Sequence, residues 1–401
     1  MKKKKSLSPI VTMMIIIFLV IVISSVLSIF NFDGTTTTIT NGILETSIVV
    51  VKNILSKEGL IYFFSNVITN FSLLEPFILL IISLIAIGVA KESGFLKQLF
   101  SPLKKLKFNV LTFIVIFISV ISTIIGDYSY IILLPLVAIL YQYNNKSPIL
   151  GIITVFLGIT LGYGTGIFYN YNDYALGVLT QTAAVVDVDP SYKFNLYSNL
   201  YIMIVSTIAI TFILTALIDK YLSKKIVTNS KYEDEIKTSK KALLFSIIAL
   251  IISIIPIFIM ILPNGILLDN TQTHYVAKLF GANSPFNSSF MYLFLFVLTI
   301  VSLVYGFVSK NFKNNHDFGW SFTKEFNNIG YLFVLMFLYS ILISIVNWTN
   351  LGTVLANNLI YIISLFDFTG IPLIIISFLF IILMSILIPG SLEKWALISP
   401  I

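Results

Sequence analysis

Two carboxylates interrupt otherwise apolar stretches of this chain, and both sit among residues that weaken regular helix. Asp127 lies in Ile124-Ile-Gly-Asp-Tyr-Ser-Tyr130, with Gly126 before it and Ser129 after it. Asp173 closes Asn170-Tyr-Asn-Asp173, which follows Gly162-Tyr-Gly-Thr-Gly166. An ionisable group in an apolar run is expensive, so each is a functional candidate: a place to bind a cation, take up a proton or meet a polar group. A helix-interior glycine costs about 1 kcal/mol relative to alanine. Gly162, Gly164 and Gly166 therefore predict a helix that unwinds, with Asn170 and Asn172 supplying donors and acceptors beside Asp173. Plainer readings stand next to these. Asp127 could cap a helix beginning near Tyr128, Asp173 could edge an external loop, and the glycines could be close-packing positions between helices.

A third constellation lies near the end, in Ile388-Pro-Gly-Ser-Leu-Glu-Lys-Trp-Ala-Leu-Ile-Ser-Pro400, preceded by Ser385. Gly390, Ser391 and Lys394 form a polar turn. Trp395 offers a broad indole face to an aromatic group, or anchors the chain at a membrane interface. Enzymatic chemistry finds little support. There are no cysteines, and His274 and His316 are the only histidines. A zinc hydrolase needs His-Glu-x-x-His, which is absent. Two aspartates sharing a proton would suit an intramembrane protease, but Asp127 follows Ile-Ile-Gly where that chemistry uses Gly-x-Gly-Asp. No cofactor is expected.

The elements that position these groups must be membrane helices. Of 401 residues 57% are hydrophobic and 11% charged, and the mean hydropathy is +0.98. Soluble domains carry roughly a quarter charged residues. The net charge of +7 reads as topology and not as a nucleic-acid footprint, because most lysines sit in short connections between apolar runs. Those runs are Ile10–Phe30, Phe77–Ala90, Val110–Ile125, Ile131–Tyr141, Ile149–Phe168, Leu196–Ile218, Ala242–Leu262, Phe290–Val308, Ile329–Val346, Leu351–Phe366 and Ile371–Ile388. A span needs about 20 apolar residues, and short runs joined by a polar break suggest re-entrant hairpins. The first run, 21 residues long, exceeds a signal-peptide core of about 7–15 and reads as an uncleaved helix.

Lysines then set the orientation. Lys2–Lys5, Lys97, Lys104, Lys105 and Lys107 fall on the cytoplasmic side, as do Asp219–Lys241, with seven lysines against four acids, and Lys310–Lys324. The connections Asn31–Ser72 and Pro263–Ser289 fall outside. Asp219–Lys241 reads as the basic connection between halves 1–218 and 242–401. Gly126 precedes Pro135 by nine residues and Gly390 precedes Pro400 by ten, each after a serine-bearing apolar limb. Two similar hairpins, one per half, are the mark of an internally repeated transporter.

At these residues the chain resembles the p-aminobenzoyl-glutamate transporter (AbgT) family. The matching stretches are Ile68-Thr-Asn-Phe71, Gly88-Val-Ala-Lys-Glu-Ser-Gly94, Gly126-Asp127 with Leu134-Pro135, and Gly162 to Ala184. They continue in Val346-Asn-Trp-Thr-Asn-Leu-Gly352, Gly370-Ile-Pro372 and Lys394-Trp-Ala396. The resemblance implies an all-α, multi-pass, homodimeric protein of the bacterial plasma membrane, with inverted repeats, about nine spans, two re-entrant hairpins and a cytoplasmic N-terminus. It implies uptake of p-aminobenzoyl-glutamate or export of sulfonamide-type antimetabolites, both small anionic aromatic solutes, coupled to H⁺ or Na⁺. By position, Asp173 matches a functional aspartate after the broken helix, and Trp395 the tryptophan of the second hairpin. Leu392 stands where the family has a serine, and Ser385 where it tends to have asparagine, so a related two-hairpin carrier for dicarboxylates is the alternative. The family's second broken helix would follow Pro400, where only Ile401 remains. Residues 1–401 are accordingly expected to insert, and to need further helices for transport; a non-transporting remnant is the companion reading.

Overall fold

The computed structural model describes residues 7–40, 43–187, 189–226, 236–365, 370–387 and 391–398. Along the chain run α1 (Pro9–Ile29), a ribbon of β1 (Asp33–Thr40) and β2 (Ile43–Val50), α2 (Lys57–Ser72), α3 (Glu75–Glu92), α4 (Phe95–Phe100), α5 (Phe108–Ile121), α6 (Tyr128–Tyr143), α7 (Pro148–Gly162), α8 (Tyr171–Asp187) and α9 (Leu200–Leu217). Then follow α10 (Ser223–Lys225), α11 (Lys240–Met260), α12 (Tyr275–Phe280), α13 (Pro285–Val308), α14 (Asn315–Thr323), α15 (Gly330–Thr349), α16 (Leu351–Ser364), α17 (Ile371–Leu387) and α18 (Ser391–Ile398).

Among the described residues seven helical stretches are long and apolar enough to cross a membrane, and α6 and α7 are shorter apolar helices. One stretch, Lys57–Glu92, has 36 residues, about 54 Å at 1.5 Å per residue, far beyond a hydrocarbon layer of about 30 Å. The chain breaks it at Leu73 and Leu74 into α2 and α3. The protein is thus a predominantly helical, multi-pass membrane protein.

Contacts divide the chain into two compact units. The first comprises Met1–Phe77, Ala175–Phe194 and Ile329–Ile401; the second comprises Ile78–Tyr174 and Asn195–Asn328. Each unit takes segments from both 1–218 and 242–401, so compact units and sequence halves are different divisions of the chain.

In the second unit α5, α6, α7 and α9 pack around Ile116, Val120, Tyr141, Ile159 and Ile218, all fully buried. Glycines let α7 press onto its neighbours. A Cβ on Gly158 would stand 2.6 Å from Ser119 Cβ, and one on Gly162 would stand 2.9 Å from Val120 Cα. Close approach of this kind is how membrane helices gain packing where lipid supplies no hydrophobic drive. At the far end of α3, Lys91 meets Glu325 at 2.7 Å and Lys324 meets Glu92 at 2.8 Å.

In the first unit the ribbon pairs antiparallel, from Asp33 opposite Val50 to Thr40 opposite Ile43. It is stitched to α15 and α16: Lys52 N–H donates to Thr349 O at 2.9 Å and Asn358 Nδ2 to Asp33 O at 2.5 Å. Val51, Leu351 and Val354 form the buried seam. Polar residues of α2 face α15, where Asn70 Nδ2 donates to Ser344 Oγ at 2.6 Å and Tyr62 stacks on Trp348 at 5.4 Å. The stretch Asn31–Ser72, read from sequence only as an external connection, therefore contains a ribbon and a helix. The β-branched Thr35-Thr-Thr-Thr-Ile-Thr40 favours a strand, and Asn41-Gly42 is a hairpin-turn signal whose geometry lies outside the described residues.

Candidate functional site

Hairpin 1 belongs to the second unit. As α5 approaches its end, Ser119, Ser122 and Thr123 each turn a hydroxyl back onto a carbonyl three or four residues earlier, at 2.7 Å in every case. Such back-bonding satisfies polar side chains at apolar depth and bends the helix, and Ser122–Ile125 continues as a 3₁₀ turn. Gly126 then reverses the chain with φ 60° and ψ −139°. A Cβ there would meet nothing within 4 Å, so the backbone conformation, and not space, calls for glycine. Ser129 Oγ donates to Ser122 O at 2.5 Å and sews the two limbs together.

Asp127 opens α6 but makes no side-chain cap. Its carboxylate accepts the Tyr163 hydroxyl instead, which sets the capping reading aside. The reason is reach: Asp127 has helical φ and ψ, whereas a cap needs an extended backbone at that position.

The break follows α7. Gly162 is its last residue and a packing glycine, so it does not itself unwind the helix. Thr165 covers the Gly162 carbonyl with its N–H at 2.9 Å and its hydroxyl at 3.1 Å. Gly164 faces open space, and Gly166 adopts φ 146°. Helix resumes at Tyr171 through a reciprocal cap. Asp173 N–H donates to Asn170 Oδ1 and Asn170 N–H to Asp173 Oδ2, both at 2.9 Å. This is the capping-box arrangement with Asn and Asp in the two roles. Asn170 is buried, and its Nδ2 reaches Thr123 O of hairpin 1 at 3.5 Å. Asn172 and Asp173 are half-buried, and Asp173 Oδ1 has no hydrogen-bond partner among the described residues.

Hairpin 2 belongs to the first unit. Ser391 is exposed and opens α18, while Gly390, its expected tip, lies outside the described residues. Lys394 Nζ donates to Ser385 Oγ on α17 at 2.8 Å. Trp395 is half-buried, and its indole N–H donates to Thr180 Oγ1 on α8 at 2.9 Å. Thr180 in turn donates to Leu176 O at 2.8 Å.

The sequence-derived residues therefore gather in two groups. Gly126, Asp127, Ser129, Gly162, Asn170 and Asp173 are joined in the second unit; Ser385, Lys394 and Trp395 are joined in the first. Tyr163, Thr123 and Thr180 were not singled out from the sequence. Tyr163 stands between two of the marked glycines, where a phenol beside a carboxylate-bearing hairpin was the available signal. Thr180 carried none. Among the described residues no three of His, Asp or Glu gather as a metal site.

A family model described as "AbgT putative transporter family" matches residues 4–401. The chain is 25% identical over 361 residues to the p-aminobenzoyl-glutamate transport protein of Escherichia coli (strain K12), covering 88% of this chain and 70% of that protein. Two solved structures share its fold. The YdaH transporter of Alcanivorax borkumensis, described as having an unusual topology, matches with TM-score 0.55 and 22% identity over 98% of this chain and 81% of its own. MtrF of Neisseria gonorrhoeae, described as illuminating a class of antimetabolite efflux pumps, matches with TM-score 0.56 and 21% identity over 99% and 80%. The chain is a membrane transporter, not an enzyme, and it belongs to the AbgT family.

Proposed function

We propose that this transporter carries a small anionic aromatic solute, of the p-aminobenzoyl-glutamate or sulfonamide-antimetabolite type, across the bacterial plasma membrane, driven by an H⁺ or Na⁺ gradient. The names of the relatives support the solute class. The observation that carries the coupling is the start of α8. The first amides of a helix lack intrahelical acceptors and present the positive end of its dipole to an anion. Asn170 takes up one of them, that of Asp173, leaving those of Tyr171 and Asn172 for a ligand. Asp173 sits at the same helix end with one oxygen free. A solute anion about 5 Å from an ionised Asp173 would be repelled by about 3 kcal/mol at an effective dielectric near 20. A proton or Na⁺ on the free oxygen removes that repulsion, so anion and cation bind together and cross together.

The lysine distribution supports a cytoplasmic N-terminus, and the proposal includes a homodimer built on inverted repeats of 1–218 and 242–401. Trp395 offers its indole face to the aromatic part of the solute. Full-length protein in liposomes, assayed with labelled p-aminobenzoyl-glutamate or a sulfonamide under an imposed H⁺ or Na⁺ gradient, tests the coupling. Asp173→Asn keeps the cap but not the charge, and should leave downhill solute exchange with no response to the gradient. Unchanged gradient dependence in that variant would sink the proposal.

A further inference from the structure

The last turn of α7 and the first turn of α6 grip one another through four side chains. Asp127 and Tyr130 lie three residues apart on α6, and Thr160 and Tyr163 lie three apart at the end of α7, so each pair presents one helix face. The Tyr163 hydroxyl donates to the Asp127 carboxylate. The Tyr130 hydroxyl meets Thr160 Oγ1 at 2.9 Å. The Tyr130 and Tyr163 rings stack at 6.4 Å with 20° between planes. Tyr163 is the first residue after α7, where the unwound segment begins.

Asp127 and Thr160 are exposed, and Tyr130 and Tyr163 are half-buried. A carboxylate with a free oxygen and three hydroxyl groups on one partly exposed face cannot be left against hydrocarbon, and polar faces of this kind look onto water-filled cavities. Leu161, next to Thr160 on the same turn, is 48% exposed and wholly apolar. Two adjacent exposed residues thus present opposite chemistry, the lipid side and the water side of one helix end.

We infer that the Asp127–Tyr130 and Thr160–Tyr163 clasp forms a wall of the aqueous solute path, and that Asp127 is a positioning residue which sets the unwound segment by holding Tyr163. The role in transport rests on the proposed function; the placement on the aqueous path does not. Thr123 and Asn170 hold the far end of the same segment to the same hairpin. A shift of hairpin 1 is therefore passed to both ends of the break.

The chain has no cysteine, so single cysteines report cleanly. In the reconstituted full-length protein, Thr160→Cys should react with a membrane-impermeant, water-requiring thiosulfonate at least tenfold faster than Leu161→Cys, and added solute should slow it. Equal rates at the two positions overturn the placement whatever the transport result. For positioning, Tyr163→Phe keeps the ring and removes the hydroxyl. A hydrogen bond to a charged group is worth enough to change a rate by roughly tenfold or more. Maximal flux should fall by that factor, with the solute KM changed less than about twofold. Asp127→Ala should do the same, and the double variant should be no worse than either single one, as expected for one shared contact. Losses that multiply in the double variant, or flux unchanged in Tyr163→Phe, overturn the positioning role. If Asp127→Ala fails to fold, Tyr163→Phe decides alone. Absence of flux in the unaltered protein counts against the proposed function and leaves the labelling result standing.

Discussion

The described limbs of the two hairpins are tied down by different kinds of contact. Hairpin 1 is closed by short-range backbone and hydroxyl bonds and by glycines pressed against α5, with Val120 fully buried beneath it. Its form belongs to the core. Among the described residues of hairpin 2, Lys394 on α18 bonds Ser385 on α17, and Trp395 ties α18 to Thr180 on α8. Ser385 is exposed and Lys394 and Trp395 are half-buried. A turn fixed by packing changes only if packing changes. Limbs tied by an ammonium and an indole N–H can be released at a cost of about 1–3 kcal/mol per hydrogen bond. Damage to the packed limbs of hairpin 1 should thus appear in folding, and damage to the exposed Asp127–Tyr163 contact or to hairpin 2 in transport.

The largest effect expected is on the break beside hairpin 1. Asp173→Ala removes both the charge and half of the reciprocal cap, and should abolish gradient-driven flux while costing about 1 kcal/mol of stability. Near-normal flux, measured in liposomes, would remove Asp173 from the mechanism. Next comes Gly162→Ala. Its Cβ would stand 2.9 Å from the backbone of Val120, which cannot yield as a flexible side chain can, and overpacking costs about 1–3 kcal/mol. Thermal unfolding in detergent should show a clear drop. Gly164→Ala, two residues on, meets nothing within 4 Å and should leave the unfolding temperature unchanged. Equal losses at both positions would break the distinction between packed and open glycines.

Hairpin 2 should answer in the other currency. Trp395→Ala should weaken solute binding by roughly tenfold, the contribution of an aromatic contact of about 1.5 kcal/mol. Trp395→Phe should be milder, since it loses only the bond to Thr180. Negligible and equal effects of both on solute affinity would leave Trp395 as an interfacial anchor. The smallest change is expected for Lys394→Met, which frees Ser385. It should alter flux within about fivefold and stability by no more than about 1 kcal/mol. A large unfolding shift there would show that hairpin 2, too, belongs to the core.

Much of the site was legible because its residue types conflict with their surroundings. Asp127 and Asp173 stand out in apolar runs, and Gly162, Gly164 and Gly166 stand out in a helix. Their separate reasons were not legible. One glycine packs, one faces open space and one adopts φ 146°, and only neighbours distant in sequence distinguish them. The pairing of Asp127 with Tyr163 spans 36 residues, and that of Trp395 with Thr180 spans 215. No periodicity encodes such contacts. The ribbon of β1 and β2 was missed for another reason: a polar, threonine-rich stretch between apolar runs reads as a connection until something packs on it.

The sequence alone determined the solvent, the helical class and the family. Each follows from quantities summed along the chain: apolar run length, the scarcity of charge, and the order of short motifs. It also marked where the helices fail, because glycine, asparagine and aspartate carry local backbone preferences wherever they occur. The tertiary structure decided what each failure is for. It made Asp173 half of a cap with one oxygen left over, turned Asp127 away from its own helix toward Tyr163, and gave the Trp395 N–H to α8. The physical reason is that a polar group in an apolar protein must find a partner, and which partner lies within about 3 Å is set by how helices pack and not by the residues beside it in the chain.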